Sequence, residues 1–455
     1  MDKLTRRILA TSLTALFCSV TFADDWKQLF NGKNFNGWKQ LGGVAKYEIM
    51  NGEIIGSSVA GTPNSFMTTE KNYTDFVLEF DVWVQDGLNS GVQFRSNTKP
   101  NPDLPGGRVY GYQFELDTAE RAWTAGIYDE ANRGWLYPVD YNEPARALFK
   151  HEQWNTARIE CVGNEVQTFL NGQPVSHIVD EKSITGFIGL QVHGIGDKLD
   201  HAGFQVRWRN LRINTNSPKL TPDIGIYIRN IAPNTLSKSE KRQGWSFLFN
   251  GHNTSAWKSI KGGNPFTAND WDVRNGELTI KAGSEAGDII TKKTYGAFKL
   301  DFEFKLTEGA NSGVKYFVNN HAEVGKNAKY LGLEYQVLDD NKHPDAKMGV
   351  VENRTSASLY DLIPSYRNVH TRKVPLNIGK WNHARIVVQA DGTVQHWLNG
   401  FNVVEYERGS NIFNALVARS KYKDVKGFGL AEAGHILLQN HHDHVSYRSI
   451  KIREL

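Results

Sequence analysis

Two pairs of side chains carry the most legible chemistry in this sequence. Glu334 and Gln336 stand two residues apart in YLGLEYQVLDD, and Gln113 and Glu115 do the same in YGYQFELD. A period of two puts each pair on one face of a strand. The opposite face is apolar: Leu331, Leu333, Tyr335 and Val337 in one stretch, Tyr110, Tyr112, Phe114 and Leu116 in the other. A carboxylate accepts hydrogen bonds, and an amide both donates and accepts. Such a pair can bind a polyhydroxylated ligand or help to hold a cation. Asp117 closes the first stretch and Asp339 follows the second. Either copy alone could be a strand face turned to water. Two copies with further polar partners argue for a site.

Those partners recur in both halves. Gln191 and His193 alternate with Leu190 and Val192 in GLQVHG, and Gln439 and His441 share a face opposite Leu438 in LLQNHHD. Imidazole is the side chain best placed to take a proton near neutral pH; a hydrogen-bonded structural histidine is the plainer reading of each one alone. Gln93 and Arg95 alternate with Val92 and Phe94, which places Arg95 either against a ligand or in an ion pair with Glu115. Residues 118–141 mix Trp123, Tyr128, Trp135 and Tyr137 with Asp129, Glu130 and Arg133. That mixture suits a wall over a sugar, or a loop packing its own side chains. The second half gathers Asp339, Asp340, His343, Asp345, Tyr360, Asp361, His441, His442, Asp443 and His444. Oxygen-rich clusters of this kind can hold a hard divalent cation, with Glu334, Asp339 and His441 as candidate ligands, although no spacing matches a known metal loop. The sequence has no Gly-rich phosphate loop, no GxSxG elbow and no zinc-protease helix.

The elements that must position these groups are strands. Alternation runs through residues 76–84 and 298–306, whose polar faces are expected to be solvated. Asn-Gly steps at Asn51, Asn171, Asn275 and Asn399 sit between strand-like runs, as tight hairpins require. Long helical periodicity is absent. The pieces also repeat in order. Phe30-Asn31-Gly32 returns as Phe249-Asn250-Gly251, Asn89-Ser90-Gly91-Val92 as Asn311-Ser312-Gly313-Val314, Trp154-Asn155 as Trp381-Asn382, and Leu170-Asn171-Gly172 as Leu398-Asn399-Gly400. A period above 200 residues means two homologous domains rather than a solenoid. The expected organisation is a signal peptide over residues 1–23, a first β-sandwich over 24–215, a linker over 216–232 and a second β-sandwich over 233–455. Residues 224–231 are expected to dock as a strand on a neighbour, and residues 237–243 to form a short polar helix.

Composition narrows the function classes. The chain has 455 residues, a net charge of +4 with mixed signs, 42 glycines, 12 tryptophans and 17 tyrosines. Nothing in it points to nucleic acid, and the aromatic content suits an all-β fold that binds a small saccharide or glycoside. Lys3, Arg6 and Arg7 precede an apolar run over residues 8–20, and Thr21-Phe22-Ala23 offers a cleavage site. The run is too short to span a bilayer, no other segment could do so, and Cys18 lacks the small preceding residue of a lipoprotein site. The leader therefore implies a periplasmic or secreted protein whose remaining thiol, Cys161, has no internal partner. The oligomeric state is left open.

Taken together, NSGVQFRS, GYQFELD, AGIYDEANRGWLYP and GFIGLQVHG resemble the bacterial 3-keto-disaccharide hydrolase domain, and so do LGLEYQVLDDNKHPDA, ASLYDLIP, HWLNG and LLQNHHD in the second half. The resemblance covers nearly the whole chain after the leader. It implies two tandem concanavalin/LamG-like jelly-roll sandwiches. It also implies an enzyme acting on glycosides already oxidised to a ketone at C3. There a base removes the acidified C2 proton, the C1 substituent leaves by β-elimination, and water adds to the enone. By motif position, His441 or His193 is the candidate base, with Glu334 and Glu115 in catalytic roles. Gln93, Arg95, Gln113, Asp117, Tyr128, Gln191, Gln336, Asp339, Tyr360 and Gln439 are expected at the sugar. A divalent cation polarising the ketone is the candidate cofactor. His442 stands where Gly194 stands in the first half, which puts activity of the second unit in question. The alternative is a carbohydrate-binding protein on the same sandwich without catalysis.

Overall fold

The computed structural model describes residues 25–321, 330–366, 368–369 and 372–455; the expected leader, with Cys18, lies outside them. Among the described residues the chain forms two β-sandwiches in sequence. In the first, a nine-stranded sheet packs on a seven-stranded one, and in the second an eight-stranded sheet packs on a five-stranded one. The seven-stranded sheet runs, in spatial order, Gly134–Tyr137, Ile127–Glu130, Arg108–Asp117, Asn89–Lys99, Phe187–Val192, Ser65–Thr69 and Trp38–Gly42. The five-stranded sheet of the second unit runs Trp257–Ser259, Ile289–Thr291, His435–Leu438, Asn311–Asn320 and Tyr330–Leu338. Both candidate acid–amide pairs therefore lie on equivalent strands.

Alternation explains the layering. Phe76, Leu78, Phe80, Val82 and Val84 are all buried, and Phe80 meets Phe114 of the facing sheet edge to face with centroids 5.7 Å apart. The second unit repeats this with Phe302 and Tyr335 at 5.6 Å. Each such ring contributes about 2–3 kcal/mol of burial, which anchors the inner face and leaves the other face to function. The hairpin steps have positive φ at both residues, 53° and 80° at Asn51-Gly52 and 50° and 79° at Asn171-Gly172. These are turns whose twist matches that of the strands.

Alternation alone does not account for every feature of the structure. Residues 118–141 are not a free loop, because Ile127–Glu130 and Gly134–Tyr137 extend the sheet that carries Gln113 and Glu115. The polar face of Phe298–Leu306 is not solvated: Asp301 and Glu303 are buried, with Asp301 accepting from the Tyr227 hydroxyl at 2.7 Å and Glu303 from Arg448 at 2.7 Å. Between the sandwiches, only Arg229–Asn230 pairs as a strand, parallel to Gln173–Val179 of the first unit. The helix covers Lys238–Arg242, started by a capping box of Ser237 and Glu240. Finally, a β-bulge interrupts Asn89–Lys99 between Phe94 and Asn97, with Arg95 at φ 48°, and the same bulge recurs with Phe317 at φ 52°. No described helix is long and apolar enough to cross a membrane.

Candidate active site

The seven-stranded sheet of the first unit floors a cavity of about 520 Å³, within the ~300–1,000 Å³ range of small-molecule sites. Its registry builds the floor. Gly91 lies opposite Glu115 on one side and Gln191 on the other, and Gln93 lies opposite Gln113. A side chain on Gly91 would place its Cβ 2.4 Å from Gln113 Cδ, so only glycine lets Gln113 lie across the sheet. Gln113 Oε1 accepts from Gln93 Nε2 at 2.6 Å and from Gln191 Nε2 at 2.9 Å. Its Nε2 donates to Glu115 Oε2 at 2.8 Å. The orientation of Gln113 is thereby fixed, and one amide proton is left for a ligand.

Glu115 is 3 % exposed. Its Oε1 accepts from Asn89 Nδ2 at 2.7 Å, and Arg121 Nη2 stands 3.5 Å away. Burial outweighs these partners and pushes the carboxyl up to about 7. Around neutral pH it can therefore give or take a proton. Asp117 binds Arg121 Nε and accepts from the Ala119 amide at 3.1 Å. His193 also lines the cavity, and its Nδ1 lies 2.7 Å from the Gly194 carbonyl. A carbonyl only accepts, so Nδ1 carries the proton and Nε2 keeps its lone pair. Burial, with the Arg121 charge as a lesser cause, holds this imidazole below its ordinary value. It is neutral at neutral pH, in the form a base requires. Asn64 braces that corner: its Oδ1 accepts from the Gly194 amide at 2.9 Å and its Nδ2 donates to Glu130 at 3.4 Å. The wall is Tyr128 and Trp135, edge to face at 5.1 Å, with the Arg121 guanidinium 5.1 Å from the Trp135 ring.

The expected residues fall into three groups. Glu115, Gln113, Asp117, Tyr128 and His193 line this cavity together. Gln93 and Gln191 are wholly buried beneath it and act through Gln113. Arg95 does not belong to it. The bulge turns its side chain into the protein, where it donates to Thr74 O at 2.7 Å, Gly163 O at 2.8 Å and Asp75 at 3.1 Å; counting alternate residues fails across a bulge. Arg121, Asn64 and Asn89 were not expected at the site. Asn89 opens the repeated NSGV motif, which is a signal; Arg121 and Asn64 arrive from loops and left none.

The second unit arranges its groups differently. Acid and amide have exchanged places: Glu334 lies opposite Lys315, 3.8 Å away, and Gln336 opposite Gly313. The side-chain amides of Gln336 and Asn311 lie 3.2 Å apart, within hydrogen-bonding distance. Tyr360 donates to Asp345 at 2.8 Å, with Lys421 Nζ 4.1 Å from its ring. Asp339 is not turned to a ligand. It accepts from the amides of Gly309 at 2.8 Å and Asn341 at 3.0 Å, bracing a turn. The strand ends at Leu438, so Gln439 and His441 do not share a strand face, and His442 takes φ 66°. His441 is exposed and groups with His343 and Asp443, whose ligand atoms all lie within 4.8 Å of one another, rather than with Glu334 and Asp339. Among the described residues, those three form the cluster that could hold a cation.

Comparison with known proteins agrees with the repeat. The family model described as the 3-keto-alpha-glucoside-1,2-lyase-like domain matches residues 25–214 and again residues 244–453. A 3-keto-disaccharide hydrolase of Bacteroides thetaiotaomicron is 33% identical over 239 residues, covering 47% of this chain and 79% of that protein. A Parabacteroides distasonis protein of known structure is 28% identical, with 49% of this chain and 99% of that chain covered at a TM-score of 0.43. The carbohydrate-binding module CBM66 of Bacillus subtilis is 17% identical, with 39% and 94% covered at a TM-score of 0.28.

Proposed function

We propose, because the chain belongs to the family of 3-keto-alpha-glucoside-1,2-lyase-like domains, that it cleaves glycosides carrying a ketone at C3 and does so in the first-unit cavity. One observation carries this reading. A histidine with a bare Nε2 and a carboxyl near 7 line the same cavity. These are the two groups that an elimination followed by hydration requires.

His193 Nε2 takes the C2 proton, which the neighbouring ketone has acidified. The C1–O bond breaks as the C1=C2 double bond forms, and protonated Glu115 gives its proton to the departing oxygen. Water then adds to the enone: hydroxide bonds to C1, its proton returns to Glu115, and His193 returns a proton to C2. Atoms balance to net hydrolysis, and both groups end as they began. Gln113 and Asn89 position the sugar hydroxyls, and Tyr128 and Trp135 cover its apolar face. Two separated carboxylates, as an ordinary glycosidase needs, are not required. The reading is tested by incubating the protein with a chromogenic glucoside and with its 3-keto form. Release from the keto form alone is expected; equal release from both would point to a conventional glycosidase, and binding without release to a lectin-like role. Export of the protein, as a periplasmic or secreted enzyme, is part of this proposal, resting on the basic and apolar residues before Ala23.

A further inference from the structure

Between the two sandwiches lies a second cavity, of about 690 Å³, and it shares Arg121 and Trp135 with the catalytic one. Its walls come from both units. Trp123 and Trp135 belong to the first, with centroids 4.6 Å apart, while Trp381 and Phe401 belong to the second, Phe401 lying 5.9 Å from Trp123. Each arginine along it lies within 4 Å of a carboxylate. Arg133 is bound to Asp129 and Asp180 at 2.5 and 2.6 Å, Arg448 to Glu303 at 2.7 Å, and Arg229 lies 3.9 Å from Glu303. An ionic ligand would have to break those pairs; an uncharged one would not, and it would pack against rings that already carry cations, Arg448 at 4.1 Å and Lys305 at 4.7 Å from Trp381 and Arg121 at 4.9 Å from Trp123.

Resting on the proposed catalytic reading, we infer that this inter-unit cavity receives the leaving group, and that preferred substrates carry a bulky, uncharged, flat-faced one. The adjacency through Arg121 and Trp135 is what makes the leaving group, rather than an unrelated ligand, the occupant. The second sandwich then serves the first by supplying Trp381 and Phe401. An aromatic aglycone and a second pyranose ring both offer such a face, and the experiment separates them.

Initial rates are measured with 3-keto-glucosides whose leaving groups are methanol, naphthol and glucose, for wild type and Trp381→Ala. Comparing the variant with wild type cancels the intrinsic reactivity of each leaving group. The naphthyl-to-methyl ratio of kcat/KM is expected to fall about tenfold if the cavity takes aromatics, and the glucosyl-to-methyl ratio by a similar factor if it takes pyranose, one ring contact being worth about that much. Neither ratio moving overturns the inference. Phe401→Leu, which keeps most of the volume, is the second variant should Trp381→Ala fail to fold, with a drop of about threefold expected. If no keto-glucoside is turned over at all, the catalytic reading fails by itself, and the cavity is judged from the Kd of naphthyl glucoside by tryptophan fluorescence. A tenfold rise in Trp381→Ala supports it; an unchanged Kd overturns it.

Discussion

Replacing Glu115 by glutamine should abolish activity and yet stabilise the protein above neutral pH. The carboxyl keeps its proton up to about 7 in the folded chain, against an ordinary 4.5. Between those values the folded state binds more protons than the unfolded one, so stability falls as pH rises through that window and stays low above it. The difference corresponds to about 3 kcal/mol. Glutamine removes the charge but keeps the shape, and Asn89 can turn its amide to present an oxygen to the new N–H. Arg121 loses a partly exposed partner, worth about 1 kcal/mol or less, and keeps Asp117. The variant should therefore be about 2–3 kcal/mol more stable than wild type at pH 8 and nearly equal to it at pH 4. Urea unfolding of both proteins at the two pH values measures this directly. An equal displacement at both pH values, or none, would refute the burial argument. In wild type the same proton should set the alkaline limb of kcat/KM near pH 7, because the acid form is the one that protonates the leaving oxygen.

Arg95→Met tests the reassignment of that residue. It should cost about 3 kcal/mol by leaving two backbone carbonyls unpaired, while the KM of the folded fraction stays at the wild-type value; a raised KM would return Arg95 to the sugar. Gly91→Ala should drive Gln113 and Glu115 apart and cut kcat/KM by about a hundredfold or more, whereas Gly313→Ala, which crowds Glu334 in the second unit, should spare the reaction. Equal losses in the two variants, measured on a 3-keto-glucoside, would mean that both units catalyse. His441→Ala should likewise leave turnover intact, and an inactive folded variant would move the base to the second unit.

Much of this architecture was legible because β-structure announces itself by alternation. The runs through Phe80 and Phe302, the Asn-Gly turns and the ordered repeat were enough to place two sandwiches and to put Gln113 beside Glu115 on one face. What alternation cannot convey is where it breaks. One extra residue at the bulge turned Arg95 inward, and a strand ending at Leu438 took His441 out of register with Gln439. Nor does it report what covers a polar face: Asp301 and Glu303 read as solvated until Tyr227 and Arg448 are seen against them. Arg121 was hidden for a related reason. Its role follows from a loop folding back on Asp117, a tertiary fact with no periodic signature.

Removal of the C2 proton by His193 is the step on which the proposed cleavage depends. Turnover of a 3-keto-glucoside in D₂O, with the released sugar read by NMR at early times, reports it. Deuterium at C2 of the product, lost together with turnover in His193→Ala, is the predicted result. Product that keeps protium at C2 while the histidine variant remains active would contradict the mechanism.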